Sequence, residues 1–416
     1  MNPDTRQGLA PILGILFLVN LLAAIDRTAL AAILPAIKHD LDLSDTQLGF
    51  LTGIAFSAFY ALFGLPLAGW ADRGNRRNIL CLSVLFWSLA TAATGMARGF
   101  AQLAAARMLV AVGEAGGVPT AHSLLSERTP LRRRPLVFAI HSAAAPLGAL
   151  IGLAGVGMLA DRYGWRASFF LLGLAGLPVF LTIAFRLSET RSADQPVRDA
   201  AQGSWLVLLG NRSFLWLLAG FALGSFAMAG LLQWLPSHFG RTFGLTMGKA
   251  GTLFGLTYGI GAMAGMLLGG LGANRLMHRG TIWALWLAAM SYLLGGPLLI
   301  AALSVDSLGL ALSLVALGTG LASAAYGPAF AMIQTIAEPS MRAKATAIAM
   351  LVSNLVGAGL GPLAVGLLSD AHGGGVDSLR FALLGLSPAL IAPAFCYWRA
   401  AAAFTPVASN GAGVGR

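Results

Sequence analysis

The sequence predicts an all-α polytopic membrane protein in which twelve membrane-spanning helices form two pseudo-symmetric six-helix bundles. Three observations support this prediction: the chain carries little charge, its apolar runs are long, and its basic residues concentrate in alternate loops. Only 10% of the 416 residues are charged and 57% are apolar, whereas soluble domains carry roughly 25% charge. A bilayer core about 30 Å thick requires about 20 apolar residues per helix, and runs of that length recur along the chain.

The apolar runs also define the organisation of the chain. Six predicted helices precede a polar stretch at 188–213, which we interpret as a cytoplasmic central linker, and six follow it. Residues 1–187 are expected to form the first bundle, and residues 214–416 the second bundle with a short cytoplasmic tail. The predicted helices cover 10–37, 47–71, 78–97, 102–126, 136–160, 167–187, 214–237, 249–273, 281–303, 308–333, 346–369 and 380–400.

Glycine is abundant in these helices, with 53 residues in the chain. Small residues let helices approach each other closely in a bilayer. We expect this use for the glycines of the eighth helix: Gly259, Gly261, Gly265, Gly269 and Gly270.

The distribution of charge predicts the orientation of the chain. The formal net charge of +11 would suggest nucleic-acid binding in a soluble protein. Most Lys and Arg residues, however, fall in the termini and in alternate short loops, which is the pattern of cytoplasmic loops. We expect a multi-pass protein of the cell (inner) membrane with both termini in the cytoplasm and no nucleic-acid partner. The first apolar run is too long for a cleavable signal peptide, so it is interpreted as the first span.

Nothing in the sequence indicates a metal site, a cofactor or catalysis. Cys81 and Cys396 lie far apart within apolar helices, so neither a disulfide framework nor metal-ligand spacing is present. The chain has no ATP-binding P-loop and no Gly-x-Ser-x-Gly or zinc-binding His/Glu pattern. We therefore expect that the protein is not an enzyme and that an ion gradient or the gradient of its own substrate supplies the energy.

The two halves resemble each other at two places. Leu34-Pro35 ends the first helix and Leu235-Pro236 ends the seventh, and a polar, basic loop follows both the second and the eighth helix at nearly the same offset. A parallel repeat of this kind in a membrane protein suggests alternating access around a site between the halves.

The loop after the second helix resembles the signature loop of the major facilitator superfamily. The resemblance implies the twelve-helix fold of that family and makes this loop a conformational latch. In this sequence the middle glycine of the pattern has moved to Gly74. The residues that match are Gly69, Asp72, Arg73, Arg76 and Arg77.

Further matches resemble the spinster branch of that superfamily. They run through most of the first half and continue more weakly through Trp234-Leu235-Pro236. Anion:proton symporters of the superfamily share the Asp-Arg pair and the Arg-to-Glu spacing. The matching residues are Ile25-Asp26-Arg27, Arg107 with Gly113-Glu114-Ala115, Pro146-Leu147-Gly148 and Gly164-Trp165-Arg166.

Four charged residues stand inside predicted helices, where charge is costly and marks a functional site. Asp26 and Arg27 are adjacent and point about 100° apart, whereas Arg107 and Glu114 lie about two turns apart on one helix face. We expect Asp26 to pair with Arg107 and Glu114 with Arg27, or the partners to be exchanged.

Burial raises the pKa of a carboxyl group and a neighbouring arginine lowers it, so these acids can serve as a proton switch. Arginine is suited to binding an anion. The family resemblance likewise implies proton coupling by Asp26 and Glu114 and substrate contact by Arg27 and Arg107. A structural ion-pair cluster is the alternative.

The second half has neutral polar and aromatic side chains at its helix centres. We expect Trp234, Tyr258, Tyr326 and Asn354 to contact substrate, although aromatic residues in membrane helices more often serve packing. His122 and His141 lie towards the cytoplasmic ends of their helices, where we expect them to be solvated or hydrogen bonded.

The leading functional hypothesis is a proton-coupled secondary transporter, as the resemblance to spinster proteins implies. Its partners are protons, membrane lipids and a lipid-like anion of the lysophospholipid or sphingoid-phosphate type, and it is expected to act as a monomer. One charged wall and one apolar wall suit an amphiphilic anion. The alternatives are a proton-coupled symporter of small organic or sugar acids and, more remotely, a receptor that uses the fold without transport.

Overall fold

The computed structural model describes residues 8–130, 133–189, 205–338 and 341–404. Regular structure in these ranges is helical, and the predicted twelve-helix fold of two bundles is confirmed. Residues 190–204 of the predicted linker lie outside the described residues, and the part that follows forms a short helix, Trp205–Gly210.

The first bundle contains six helices. The fifth and sixth, α5 and α6, share a continuous helical path through Arg134–Ile151, a π-helical turn at Gly152–Val156, and Gly157–Arg186. Gly164 has φ 82 and ψ 161, a conformation that glycine adopts most readily, and there α5 ends and α6 begins. The first four are α1 (Leu9–Leu41), α2 (Asp45–Thr52 and Ile54–Arg73), α3 (Arg76–Thr94) and α4 (Phe100–Ala115 and Gly117–Arg128).

The second bundle repeats this plan, including a π-helical turn in its fifth helix. The turn, Ser353–Leu360, contains the predicted site residue Asn354. The helices are α7 (Arg212–Phe243), α8 (Met247–Met277), α9 (Trp283–Ala302), α10 (Leu308–Ala324 and Tyr326–Ile336), α11 (Arg342–Val352, Ser353–Leu360 and Gly361–Ala371) and α12 (Val376–Leu384 and Ser387–Ala402).

Length and composition agree with this assignment. Ten described stretches are long and apolar enough to cross a membrane, and one of them, Leu136–Arg186, contains both α5 and α6. The twelfth span is α4, which is interrupted at Gly116. We call the face at which α1 begins the near side, and the face at which α1 ends the far side.

The sequence did not predict the interruptions of α2, α4, α10 and α12. The break in α2 has a packing cause, because a Cβ atom on Gly53 would lie 2.2 Å from the carbonyl oxygen of Gly359 in α11. The break in α4 falls at Gly116, where a Cβ atom would lie 2.9 Å from Ser83 Oγ of α3. Contacts between helices, which a local sequence pattern does not contain, thus determine where these helices break.

Close helix packing relies on selected glycines. On α8, a Cβ atom would lie 2.3 Å from Ala316 O at Gly261, 1.8 Å from Gly320 O at Gly265 and 2.1 Å from Ala324 O at Gly269. For Gly259 and Gly270, which the sequence placed in the same group, nothing lies within 4 Å of an added Cβ atom. The α8–α10 contact therefore requires glycine at every fourth position.

This contact predicts a large difference between two similar substitutions. Gly265→Ala should destabilise the protein by about 1–3 kcal/mol, because the added methyl forces the helices apart. Gly259→Ala, its matched control, should leave stability unchanged. Cys81 and Cys396 are buried, so a thiol-reactive dye can follow thermal unfolding in detergent. Equal melting temperatures for the two variants would contradict this packing.

Candidate functional site

The four charged residues within α1 and α4 form two separate ion pairs between these helices. Arg107 Nη1 donates to Asp26 Oδ2 over 2.9 Å, and Thr91 Oγ1 of α3 donates to Asp26 Oδ1 over 2.9 Å. Both charged side chains are almost completely buried. Each oxygen of Asp26 therefore has a partner, and this pair joins α1, α3 and α4.

The second pair is less complete. Arg27 Nε donates to Glu114 Oε2 over 2.6 Å, and Glu114 is fully buried while the Arg27 side chain is 39% exposed. Glu114 Oε1 has no hydrogen-bond partner among the described residues. Arg27 thus lies between a dry carboxylate and an open space.

Two features of the helices place these groups. Neighbouring residues of α1 diverge by about 100°, so Asp26 and Arg27 reach different partners on α4. At Gly113 a Cβ atom would lie 2.7 Å from Trp87 Cβ, so α3 packs closely behind α4 at the depth of Glu114. The packing explains why this carboxylate is shielded from solvent.

Two aromatic residues of α2, which sequence reasoning missed, complete the charged wall. The Arg27 guanidinium lies 5.0 Å from the Tyr60 ring centroid and 5.5 Å from that of Phe56, and the Arg107 guanidinium lies 5.6 Å from Phe56. Such cation–π contacts hold a guanidinium while leaving its donors free. The signal in the sequence was a pair of aromatic residues four positions apart, which also occurs in ordinary packing.

A central cavity of about 180 Å³ lies in front of the arginines, between the bundles. Arg27, Arg107 and Asn354, three residues for which the sequence predicts substrate contact, line it, while Asp26 and Glu114 do not. Its remaining lining comes from α1, α2, α7 and α11: Thr28, Leu30, Thr52, Phe56, Ser57, Tyr60, Ala229, Leu232, Gln233, Ala358 and Pro362.

Three predicted substrate contacts of the second bundle lie elsewhere. Trp234 is completely buried and its Nε1 donates to Pro362 O over 2.9 Å, so it packs α7 on α11 and does not line the cavity; its neighbour Gln233 does. Tyr258 and Tyr326 line a second cavity of about 190 Å³ within the second bundle, together with Tyr292. The sequence could not distinguish residues of the central cavity from residues of the second cavity, because both stand in apolar helices of the same kind.

The histidine expectation was wrong for His141. It is 1% exposed, and neither ring nitrogen has a hydrogen-bond partner among the described residues. His122 is exposed, and its ring centroid lies 5.4 Å from that of His141.

On the far side, an ion cluster closes the two bundles on each other. Asp45, at the start of α2, is fully buried and accepts hydrogen bonds from Lys38 Nζ (2.7 Å), both terminal nitrogens of Arg241 on α7 (3.1 and 2.9 Å) and Ser369 Oγ on α11 (2.7 Å). This role of Asp45 was not predicted from the sequence, because Asp45 stands in a predicted loop.

Each bundle also caps a helix of the other. Asp370 of α11 accepts from the N–H groups of Asp45 and Thr46 over 3.0 and 2.7 Å, and Asp161 of α5 accepts from those of Met247 and Gly248 over 3.1 and 2.9 Å. Carboxylates stabilise helix N-termini by satisfying free N–H groups. The repeat therefore extends to the far-side contacts between the bundles.

The predicted latch on the near side binds its own bundle and the first residues of the linker that follows it. Arg76 Nη2 donates to Glu189 Oε1 over 2.7 Å and Nη1 to Ser123 Oγ over 3.2 Å, while Arg77 donates to Ala184 O. At Gly69 nothing lies within 4 Å of a Cβ atom. The side chains of Asp72 and Arg73 lie outside the described residues.

Comparison with known proteins agrees with this architecture. The model of the Major Facilitator Superfamily matches residues 16–362. An MFS-type efflux pump of Mycolicibacterium smegmatis is 34% identical over 94% of this chain and 92% of its own length, and a hexuronate transporter of Bacillus subtilis is 25% identical over 87% and 88%. A bacterial homologue of the human lysosomal transporter Spinster, solved in an inward-facing and unoccupied conformation, superposes with a TM-score of 0.87 at 25% identity, covering 97% of this chain and 98% of that one.

The far-side cluster predicts the effect of removing one partner. Arg241→Gln leaves Asp45 buried with fewer donors, which should cost the closed state about 3 kcal/mol, or about a hundredfold in the opening equilibrium. Spin labels at Arg162→Cys and Asp306→Cys occupy exposed far-side positions of different bundles. Double electron–electron resonance reports opening of the far side as a longer distance between the two labels. Arg380→Gln is the control, because Arg380 bonds Ser304 within its own bundle. An unchanged distance distribution in Arg241→Gln would show that the cluster does not hold this side closed.

Proposed function

The chain belongs to the Major Facilitator Superfamily, and from this premise we propose that it is a proton-coupled secondary transporter of an amphiphilic anion. The observation that carries the proposal is the position of Arg27, which pairs with buried Glu114 on one side and faces the central cavity on the other. An anion that enters the cavity competes with Glu114 for the same guanidinium.

This competition supplies the coupling. While Arg27 holds Glu114, its positive charge favours the ionised carboxylate. An anion bound at Arg27 neutralises that charge, and a buried carboxylate without its partner is strongly disfavoured, so Glu114 takes up a proton. Proton and anion are then bound together, and thermodynamic linkage makes the effect reciprocal. The arrangement supports symport.

The Asp26–Arg107 pair has a different part in the proposal. Both Asp26 oxygens already accept hydrogen bonds, so this pair orients Arg107 beside the cavity. Asp26 is a second proton-coupling group, which acts when an anion draws Arg107 away from it. The near-side loop at Gly69, Asp72, Arg73, Arg76 and Arg77 is the conformational latch in this proposal.

The cavity lining supports an anion with an apolar part. Two arginines supply the positive charge, while Phe56, Leu232 and Ala358 are among the apolar residues around them. The tyrosine-lined second cavity, with Tyr258 and Tyr326, offers space for an apolar segment. The structural similarity to a Spinster homologue supports the same substrate class.

A second candidate is proton-coupled symport of a small organic or sugar acid. The size of the central cavity, about 180 Å³, favours it, because a lysophospholipid headgroup fits this space but its acyl chain does not. The similarity to a hexuronate transporter points in the same direction.

The proposed orientation places the near side in the cytoplasm, with the chain as a monomer in the inner membrane. The basic loops support this orientation. The far-side ion cluster and the likeness to an inward-facing relative then support a state that is closed to the outside.

Proton coupling predicts a pH dependence that one substitution removes. Because protonation of Glu114 and anion binding favour each other, anion affinity in the unaltered protein should rise as the pH falls, by up to about tenfold per pH unit for one linked proton. Glu114→Gln should lose most of this pH dependence, because only Asp26 then remains to couple, and Asp26→Asn should weaken it. The control is Glu338→Gln, at an exposed acid. The measurement is uptake into proteoliposomes with and without a pH gradient, and an unaltered pH dependence in both buried variants would rule out the coupling.

A homologous series of alkyl phosphates distinguishes the two substrate classes. If the apolar part of the substrate is buried, affinity should increase by about 0.8 kcal/mol, or about fourfold, for each added methylene. Competition by hexuronate and sulfoacetate is measured in parallel by thermal shift. Affinity that does not change with chain length, together with binding of the sugar acid, would instead establish the second candidate.

A further inference from the structure

His141 is buried inside the first bundle with both ring nitrogens unsatisfied by the described residues. A neutral imidazole has one donor and one acceptor, and leaving both without partners in a dry interior is costly. Phenylalanine would fill a similar volume without this cost. The position therefore requires a reason beyond packing.

The cavity next to His141 supplies that reason. A space of about 10 Å³ lies among α1, α3, α4 and α5, and its lining includes His141, Glu114, Arg27, Asn20 and Trp87. This volume is close to the minimum that one water molecule needs, provided that the water has two to four polar partners. Glu114 Oε1 and the His141 nitrogens are unpartnered polar atoms of this lining.

His122 is an exposed neighbour of the buried histidine. It stands on α4, nearer than Glu114 to the near-side end of that helix, and its side chain is exposed. Its ring meets that of His141 at 5.4 Å between centroids and 71° between planes. Phe138 contacts the other side of His122 at 5.0 Å, which fixes its ring beside His141.

We propose that His122 and His141 form a proton relay that connects Glu114 with solvent on the near side, through the interior of the first bundle and apart from the anion cavity. The inference rests on the proposed proton coupling at Glu114. Because His141 has no direct hydrogen bond to His122, one water carries the proton between the two imidazoles. A second water carries it from His141 to the Glu114 carboxylate, which becomes a carboxylic acid. The reverse sequence returns the proton, and nothing else is consumed.

Charged groups among the described residues lie at both ends of the relay: Arg76 donates to Ser123 Oγ, next to His122, and pairs with Glu127 at the outer end. Glu114 and His122 of α4 and Arg27 of α1 face the relay, and the Asn20 amide of α1 donates to His141 O over 3.0 Å. Trp87 of α3 is apolar there, and α8 meets α5 at Gly255. Asp26 is turned away towards Arg107 and Thr91. Such a separate route lets Glu114 exchange its proton while an anion occupies the cavity.

Stopped-flow proton uptake tests the relay without a transported substrate. Detergent-purified protein is shifted from high to low pH, and a dilute indicator dye reports the protons that the protein takes up. The kinetic phase of uptake that is absent in Glu114→Gln is assigned to Glu114. His141→Phe and His122→Phe should each retain the amplitude of that phase and slow it by about 100-fold, the range that a positioned proton-transfer group contributes. The matched control, His372→Phe on an exposed far-side histidine that stacks on Phe381, should keep the unaltered rate.

Chemical rescue separates proton transfer from packing. Free imidazole should restore the rate in His141→Ala, which a purely structural histidine does not permit. An unaltered rate in His141→Phe and His122→Phe, with the Glu114 phase present, would overturn the relay and leave proton coupling intact. If every variant, including Glu114→Gln, kept all uptake phases, Glu114 would not be the proton site, and the relay would be overturned with it.

Discussion

The ion pair between Arg27 and Glu114 is the interaction on which the proposed mechanism depends. One partner is fully buried and the other is 39% exposed to the central cavity, so the pair connects a dry interior with the space where a substrate binds. A buried ion pair gives little net stability but is costly to break by removing one partner. A ligand that binds Arg27 in place of Glu114 therefore changes the charge of the carboxylate. Arg27 must keep N–H donors free for such a ligand, which explains why α2 supplies aromatic rings rather than further acids around it.

The far-side contacts explain how a change at this pair can extend over the molecule. Asp370 and Asp161 each cap a helix of the opposite bundle, and Asp45 connects α1 and α2 with α7 and α11. These contacts are polar, and close glycine packing lies beside them, because a Cβ atom on Gly53 of α2 would meet the carbonyl oxygen of Gly359 in α11. The close glycine contacts within a bundle, such as Gly265 against Gly320, cannot separate without loss of packing. In the proposed mechanism the polar far-side contacts exchange with water, while the glycine contacts within each bundle are kept.

The sequence was sufficient for the fold and for the charged wall of the site. Apolar runs, loop charges and the repeat depend on the bilayer and can be recognised locally, and Asp26, Arg27, Arg107 and Glu114 were conspicuous because charge is rare in lipid. Phe56, Tyr60 and Asp45 were missed because their roles arise from contacts between distant helices. The prediction that His141 is solvated or hydrogen bonded was wrong for the same reason. Trp234 was misplaced for the same reason: its indole satisfies a carbonyl of α11, and a hydropathy pattern does not show which face of a helix is turned to the cavity.

The central claim is that Glu114 changes its protonation when Arg27 binds an anion. Infrared difference spectroscopy of the purified protein can observe the carboxylic acid directly, without knowledge of the natural substrate. Adding an alkyl phosphate at constant pH should produce a carboxylic acid band that shifts on deuteration, is absent in Glu114→Gln and remains in Glu338→Gln. A band that persists in Glu114→Gln, or no band although the anion binds, would contradict the account.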